Sequence, residues 1–473
     1  MNELREQLRQ LDKEQLIDII VELREVIASQ EVRIQALEDQ IAKNSNNSSK
    51  PPSSDGLKKE SKSLREKGKR KSGGQKGHKG RTLKMVAVPN HIELHDLTTC
   101  PECHQNLDTV PVKGIEKRQV FDVPLVEIEV TEHQAQIKCC PQCQAQVKAR
   151  FPEGVTHPVQ YGNRIKAQAV YLNSYQLLPL ARICELFSDF YGHAPSEALI
   201  LNATESVHQQ LDEPLAAIQA QLKQADVVNC DETGLRVEGK LNWLHVASTD
   251  RLTYYAVHSK RGQKAMRAIG ILNEMTGRAM HDGYISYFQF ENCTHALCNA
   301  HHLRDLRFIT EQYQQDWAHQ LATLLLDAKH EVEAAPDSQT RLLPERLAYF
   351  EQRYDLLIQQ GFDANPLPKH PPPQKRGRRK QSPPKNLLDR LHKYKAETLG
   401  FLADFRLPFD NNLAERDVRM MKVKQKISGT FRTRIGAEIF CDIRSYISTA
   451  RKQGHTVIQA LLDALLGQPV IPA

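Results

Sequence analysis

No run of about 18 apolar residues occurs anywhere in the sequence, so no membrane-spanning helix is expected. The charged, heptad-like opening stretch Met1-Asn2-Glu3-Leu4-Arg5 argues against a secretory leader. Ten cysteines are present. Four of them form two Cys-x-x-Cys pairs and nothing indicates export, so thiolate metal binding is a better reading than a disulfide framework. A cytoplasmic protein is therefore expected. Net charge is low, +7 over 473 residues, but it is unevenly placed. From Lys58 to Lys84 twelve Lys and Arg face only Glu60 and Glu66, so this arm carries +10 and the remainder −3. A basic arm on a near-neutral body points to a polyanion, most simply nucleic acid.

The length exceeds one ordinary domain, and 40% hydrophobic with 26% charged residues describes a globular chain. Residues 1–43 read as one helix. Ile20, Leu23, Ile27, Ile34, Leu37 and Ile41 alternate at spacings of 3 and 4, with Gln30 in the one polar slot. A self-associating coiled coil and an amphipathic helix packed on its own body both fit that pattern. Residues 44–84 form a basic linker too polar to order itself, with Lys69, Arg70 and Lys71 as DNA contacts. Residues 85–155 hold Cys100-Pro-Glu-Cys103 and Cys140-Pro-Gln-Cys143. Two such knuckles suit one structural Zn²⁺, and the strand-like stretches 118–123 and 126–130 between them suggest a DNA-binding zinc ribbon.

Residues 156–225 read as a helical connector, with helices over 164–178 and 196–222. Strands follow over 225–231, 242–248 and 252–258, then a helix over 263–275, a strand ending at Asp282, and a strand over 295–298 leading into a helix. That order belongs to a ribonuclease-H-like mixed α/β domain, placed at 226–450. A helical insertion about 303–390 interrupts it and carries a second basic loop with Arg378 and Arg379. Residues 451–473 form a C-terminal helix and tail. The fold expected is thus multidomain α+β.

Three acids stand in suggestive contexts. Asp231 ends an apolar strand, Val227-Val228-Asn229-Cys230, and a glycine turn is expected at Gly234. Asp282 ends another strand and precedes Gly283. Glu415 lies at the start of a helix capped by Asp410 or Asn411. Arg419, Lys422 and Lys426 continue its stripe along that helix as phosphate contacts, and Ala414, Val418 and Met421 form an apolar stripe beside it. Hard oxygen donors suit Mg²⁺ or Mn²⁺. Two such ions about 3.5–4 Å apart serve phosphodiester chemistry, Asp231 bridging them, Asp282 holding one and Glu415 the other. Glu232 should point to the opposite face, and Asp305 and Asp417 read as surface charges. His301, in Cys298-Asn-Ala-His301, reads either as orienting water or phosphate at the metals or as a hydrogen-bonded core histidine.

With these motifs in view, the sequence resembles bacterial insertion-sequence sixty-six family transposases over nearly its whole length. The resemblance rests on Asn47-Ser-Ser-Lys-Pro-Pro-Ser-Ser-Asp55, the paired knuckles, Asp231-Glu-Thr-Gly234, His281-Asp-Gly283, Asp410-Asn-Asn-Leu-Ala-Glu-Arg416 and Lys424-Gln-Lys-Ile-Ser-Gly-Thr-Phe-Arg432. It implies a leucine zipper, a zinc finger and a DDE catalytic domain, with Asp231, Asp282 and Glu415 as the catalytic acids. Cys298-x-x-His301 is similar to an element after the second aspartate in other DDE transposases. The expected activity is cleavage at the ends of an insertion sequence and strand transfer to target DNA, by a homodimer or larger oligomer at the bacterial nucleoid. Accessory proteins of the same element are implied as partners. A catalytically silent DNA-binding repressor and a ribonuclease-H-type nuclease are the alternatives. Cys100→Ser is expected to release zinc and unfold residues 85–155 locally, since metal binding there is folding energy. Zinc content unchanged from the parent, by elemental analysis, would speak against a four-sulfur site.

Overall fold

The computed structural model describes residues 9, 11–48, 83–124, 126–366 and 381–473. Lys69, Arg70 and Lys71 of the basic arm and Arg378 and Arg379 of the second basic loop lie outside the described residues. The chain divides into two compact units, one of them formed by residues 62–152 and 189–193.

Helix α1, Lys13–Ala42, starts on a capping box in which Asp12 Oδ1 accepts from Gln15 N at 2.9 Å and Gln15 Oε1 from Asp12 N at 3.1 Å. Ile20, Leu23, Ile27, Ile34, Leu37 and Ile41 are all exposed. The apolar seam is therefore not packed on the chain's own body. Near the C-terminal end of α1, Tyr313 Oη donates to Asp39 Oδ2 at 2.7 Å.

In the smaller unit the two Cys-Pro-x-Cys knuckles are conformational twins. Cys100 N donates to Gln105 O and Cys140 N to Ala145 O, both at 2.9 Å. His104 and Gln144 both turn through the left-handed region, at φ 58° and 59°. Strands β1 (Ile137–Cys139) and β2 (Gln146–Lys148) form an antiparallel hairpin around the second knuckle. The strands expected over 118–123 and 126–130 are absent among the described residues. Val120, Val123 and Val130 are each more than three-quarters exposed, so these stretches have no core to bury against and no partner strand.

The larger unit continues with α2 (Asn163–Val170), extended by a π-turn at Tyr171–Tyr175, then α3 (Leu180–Tyr191), α4 (Glu197–His208) and α5 (Asp212–Gln224). The single helix expected over 196–222 is therefore two. Ala167, Val170, Ala203 and Val207 pack with Ile443, Tyr446, Ala460 and Leu461, so these helices share one core with the C-terminal region.

Strands β3 (Val227–Val237), β4 (Lys240–Ser248) and β5 (Thr253–His258) precede α6 (Gln263–Ile269) and α7 (Ile271–Glu274), and β6 (Arg278–His281) and β7 (Thr294–Leu297) follow. The helix expected over 263–275 breaks at Gly270, whose φ of 83° suits glycine. The sheet order is β5-β4-β3-β6-β7, with β3, β4 and β5 antiparallel and β3, β6 and β7 parallel. Helices α8 (Asn299–Tyr313), α9 (Asp316–Ala334), α10 (Pro344–Ala364), α11 (Pro383–Lys393) and α12 (Lys395–Ala403) follow, and their core around Leu321, Leu325, Tyr354 and Leu388 takes in Met280 and Ala296 of the sheet. The chain closes with α13 (Asn412–Ser428), α14 (Arg434–Lys452) and α15 (Val457–Leu465). Val228, Cys230 and Ala247 pack with Met266, Leu272 and Tyr287 on one sheet face. Leu235, Leu244 and Tyr255 pack with Ala414, Val418 and Met421 of α13 on the other.

The expected turn at Gly234 does not occur. Strand β3 runs through it to Val237, Gly234 pairs with Trp243, and the chain reverses at Glu238-Gly239, where φ is 53° and 73°. Two successive positive φ values match the twist of a hairpin. An added Cβ at Gly234 would instead lie 3.3 Å from Leu241 Cδ1, a close approach across the hairpin. At the sheet edge, Ser445 Oγ accepts from Tyr255 N at 2.8 Å and Thr449 Oγ1 from Thr253 N at 3.0 Å. Two hydroxyls one helical turn apart thus satisfy donors that an edge strand leaves open.

At Gly277 an added Cβ would strike the Ala225 carbonyl oxygen and lie 2.7 Å from that of Asp226. Gly277→Ala is expected to cost about 1–3 kcal/mol through overpacking. Gly162→Ala meets nothing within 4 Å and should be near neutral. Parallel denaturant titrations of the two variants make the comparison.

Candidate active site

Asp231 lies within β3, on the face opposite Cys230 and Glu232. The parallel pairing of β3 with β6 sets Asn229 opposite Met280. Asp231 stands two residues beyond Asn229 on β3, and Asp282 two residues beyond Met280, just past the end of β6. A tight turn fixes Asp282. Gly283 has φ 92°, its N–H donates to His281 Nδ1 at 3.0 Å, and Tyr284 N donates to Asp282 Oδ1 at 2.9 Å. His281 is fully buried and stacks on Tyr287, ring centroids 4.5 Å apart.

Glu415 reaches the sheet from the first turn of α13. Asn411, at the N-cap position, makes no side-chain cap bond. Its side chain crosses to the sheet instead. Asn411 Nδ2 donates to Cys230 O at 2.8 Å and Oδ1 accepts from Asn229 Nδ2 at 2.9 Å. Its backbone N–H donates to Cys298 Sγ at 3.1 Å. Local capping falls to Asp410, whose Oδ1 accepts from Asn412 N at 3.1 Å.

The charges of Asp282 and Glu415 are both felt at Asp231. Burial pushes the Asp231 carboxyl well above the usual carboxylate range, and the charges of Glu232, Asp282 and Glu415 push it further. Glu232 lies on the opposite face. Burial and Asp282 raise it, but Tyr287 Oη donates to it at 2.6 Å and Arg261 Nε at 2.8 Å. The Arg261 guanidinium in turn lies 4.2 Å over Tyr284 and 5.0 Å over Trp243. Asp231 has no such cation; its Oδ1 accepts only from the Glu232 N–H, at 2.8 Å, among the described bonds.

His301 Nδ1 lies 3.7 Å and Arg304 Nη2 3.8 Å from Glu415 Oε1. Burial and Arg304 hold His301 below its ordinary value, with Glu415 and Asp282 opposing. His301 Nδ1 and Glu415 Oε1 are both buried without a hydrogen-bond partner. Three carboxylates on three elements, with Asp231 lacking a cation of its own, offer the hard oxygen donors that a divalent cation takes. Cys298, His301 and Glu415 also offer ligand atoms within 4.8 Å of one another.

The remaining expected residues divide. Arg419 is 69% exposed, 3.7 Å from Glu415 Oε2, and Lys426 is exposed. Lys422 is tied to the sheet, its Nζ donating to Gly234 O at 2.8 Å. Asp417 is not a surface charge. Ser248 Oγ donates to it at 2.6 Å and Lys452 Nζ lies 3.1 Å away, because this side of α13 lies over β4 and β5. Asp305 is paired with Arg390. Within each knuckle the backbone N–H groups of residues 103 and 102, and of 143 and 142, hold the thiols of Cys100 and Cys140 below their ordinary value. No three of Cys100, Cys103, Cys140 and Cys143 have sulfurs within 4.8 Å of one another.

A family model described as the transposase IS66 family matches residues 158–439, more than half of the chain. The chain belongs to that family. Asp231, Asp282, His301 and Glu415 all fall inside the matched region. A second model, a family of unknown function, matches residues 1–84. No curated protein matches the chain. Membership implies a transposase that acts on DNA, and no helix among the described residues is long and apolar enough to cross a membrane.

Arg304, the crossing of Asn411 to the sheet, and the pairing of Glu232 with Arg261 and Tyr287 escaped the sequence reading. Arg304 alone left a signal, one helical turn beyond His301. The charge balance generates a stability expectation. Asp231 has a folded-state pKa above its unfolded value, so protonation favours the fold. That contribution is complete below the unfolded pKa and is lost as pH rises through the folded one. In chelator at neutral pH, Asp231→Asn should therefore be more stable than the parent, by on the order of 1 kcal/mol. Thermal melts at falling pH should show the gain shrinking as Asp231 takes up its proton.

Proposed function

We propose that the chain is a DDE-type transposase in which Asp231, Asp282 and Glu415 hold the catalytic metal. The observation that carries this reading is the mutual charge of the three acids. Asp282, on the turn after β6, and Glu415, on the first turn of α13, both add to the rise that burial and Glu232 impose on Asp231 of β3. The mixed sheet order β5-β4-β3-β6-β7 supports a ribonuclease-H-like catalytic domain, with the α8–α12 insertion before the third acid.

Hard carboxylate donors suit Mg²⁺ or Mn²⁺. Two such ions, when bound, would supply an activated hydroxyl, neutralise the charge developing on phosphorus and stabilise the leaving oxygen. The chain's own residues do the rest. Asn411 fixes where Glu415 stands relative to β3. Gly283 and His281 keep the Asp282 turn in one conformation. His301, held neutral by burial, presents an unpartnered ring nitrogen beside Glu415 and can orient water or a phosphate oxygen. Arg304 and Arg419 flank the same carboxylate and can meet phosphate.

The reading extends to DNA binding and assembly. The twin knuckles support one structural Zn²⁺ on Cys100, Cys103, Cys140 and Cys143, in a unit that would hold the element's terminal repeats. The exposed seam of α1 supports pairing of two copies, and so of two DNA ends. The strands would be hydrolysed to expose 3′-hydroxyls and then joined to target DNA.

With labelled element ends and Mg²⁺, the parent should nick at the terminus, whereas Asp231→Asn should lose cleavage by at least about 10³-fold and retain end binding. Undiminished strand transfer by Asp231→Asn would remove the mechanism. Nicking of RNA–DNA hybrids without regard to specific ends would favour a plain ribonuclease instead.

A further inference from the structure

Glu415 faces two ways. Its carboxylate is sensed by Asp231 across to β3. It also lies beside a sulfur and an imidazole at the start of α8. Cys298 Sγ, a His301 ring nitrogen and a Glu415 oxygen lie within 4.8 Å of one another. A tetrahedral ion with bonds of about 2.0–2.3 Å needs donors roughly 3.3–3.6 Å apart, a closure that small side-chain rotations supply.

The donors are poised for an occupant. His301 Nδ1 and Glu415 Oε1 are buried without partners and face each other at 3.7 Å. Each buried polar atom left without a hydrogen bond carries a desolvation cost that a bound ion would offset. The sulfur is supported as well, since the Asn411 N–H donates to it at 3.1 Å, the kind of outer bond that steadies a metal thiolate. Arg304 Nη2, 3.8 Å from Glu415 Oε1, is the opposing charge. A dication held by one thiolate and one carboxylate is locally neutral, so Arg304 does not exclude it.

We infer that Cys298, His301 and Glu415 form a zinc-class site whose occupancy withholds Glu415 from Asp231 and Asp282 and so inhibits the Mg²⁺-dependent reaction. The inhibitory part rests on the reading of Glu415 as the third catalytic carboxylate. Thiolate, imidazole and carboxylate together select Zn²⁺ over Mg²⁺, which takes oxygen donors and tighter octahedral geometry. A water fills the fourth position. With its carboxylate drawn to α8, the first turn of α13 no longer offers an oxygen to the pair of aspartates, and Zn²⁺ acts against the chemistry.

The test uses the full chain, stripped by chelator, titrated with Zn²⁺ alone and dialysed. By elemental analysis the parent should hold one ion more than Cys298→Ala, and one more than His301→Asn. The four knuckle cysteines are common to all three proteins and cancel in the difference. Melts in chelator identify which variants fold, and either folded variant suffices for the comparison. At fixed Mg²⁺, nicking by the parent should be inhibited at zinc concentrations at least about tenfold lower than for Cys298→Ala, a loss of affinity that even an outer-sphere change produces. Equal zinc content in the parent and a folded variant overturns the site, whether or not nicking occurs. A one-ion difference with equal zinc sensitivity in nicking overturns the inhibitory role. A one-ion difference in a protein that never nicks supports the site and overturns the nuclease reading instead.

Discussion

The side chain of Asn411 holds the candidate site together. It accepts from Asn229, donates to the carbonyl of Cys230, and its backbone N–H reaches Cys298. One buried residue thereby fixes the entry of α13 against β3 and against the end of β7. Nothing else described joins the first turn of that helix to both strands. Each bond is modest alone, but Asn411 is buried, and a buried amide with unmet groups is expensive. Glu415 can therefore be placed by rigid backbone rather than by its own contacts, and its Oε1 is left without a hydrogen bond.

Two adjacent acids on β3 show how the fold handles buried charge. Glu232 is compensated on its face by Arg261 and Tyr287, and Arg261 is itself wedged against Trp243 and Tyr284. Asp231, one residue earlier, faces other acids and has no cation of its own. Alternation along a strand puts the two on opposite faces, so the first reads as architecture and the second as a place suited to positive charge. Stability is forgone at the second position, as is common at functional sites.

The strand order, the insertion and the apolar stripe of α13 were legible in the sequence because each is written in local periodicity. Ala414, Val418 and Met421 repeat at helical spacing and are buried as a stripe should be. The break at Gly270 and the passage of β3 through Gly234 were not legible. Glycine permits a turn, a bend or a close approach, and only the neighbouring Leu241 and Trp243 decide which. Asp417 escaped for a related reason: its partners Ser248 and Lys452 are far away in sequence. Asn411 looked like a helix cap, the commonest role for its type, and tertiary contact overrode it. In the smaller unit, apolar alternation over 118–130 met no partner strand and no core, so propensity had nothing to act on.

The long separation between the acids has a consequence for synthesis. Asp231 and Asp282 leave the ribosome well before Glu415, with all of α8–α12 still to be made. At about 5–20 residues per second, the delay is on the order of ten seconds. During that interval the three acids cannot meet, and Glu415 comes to β3 only when α13 docks through Asn411.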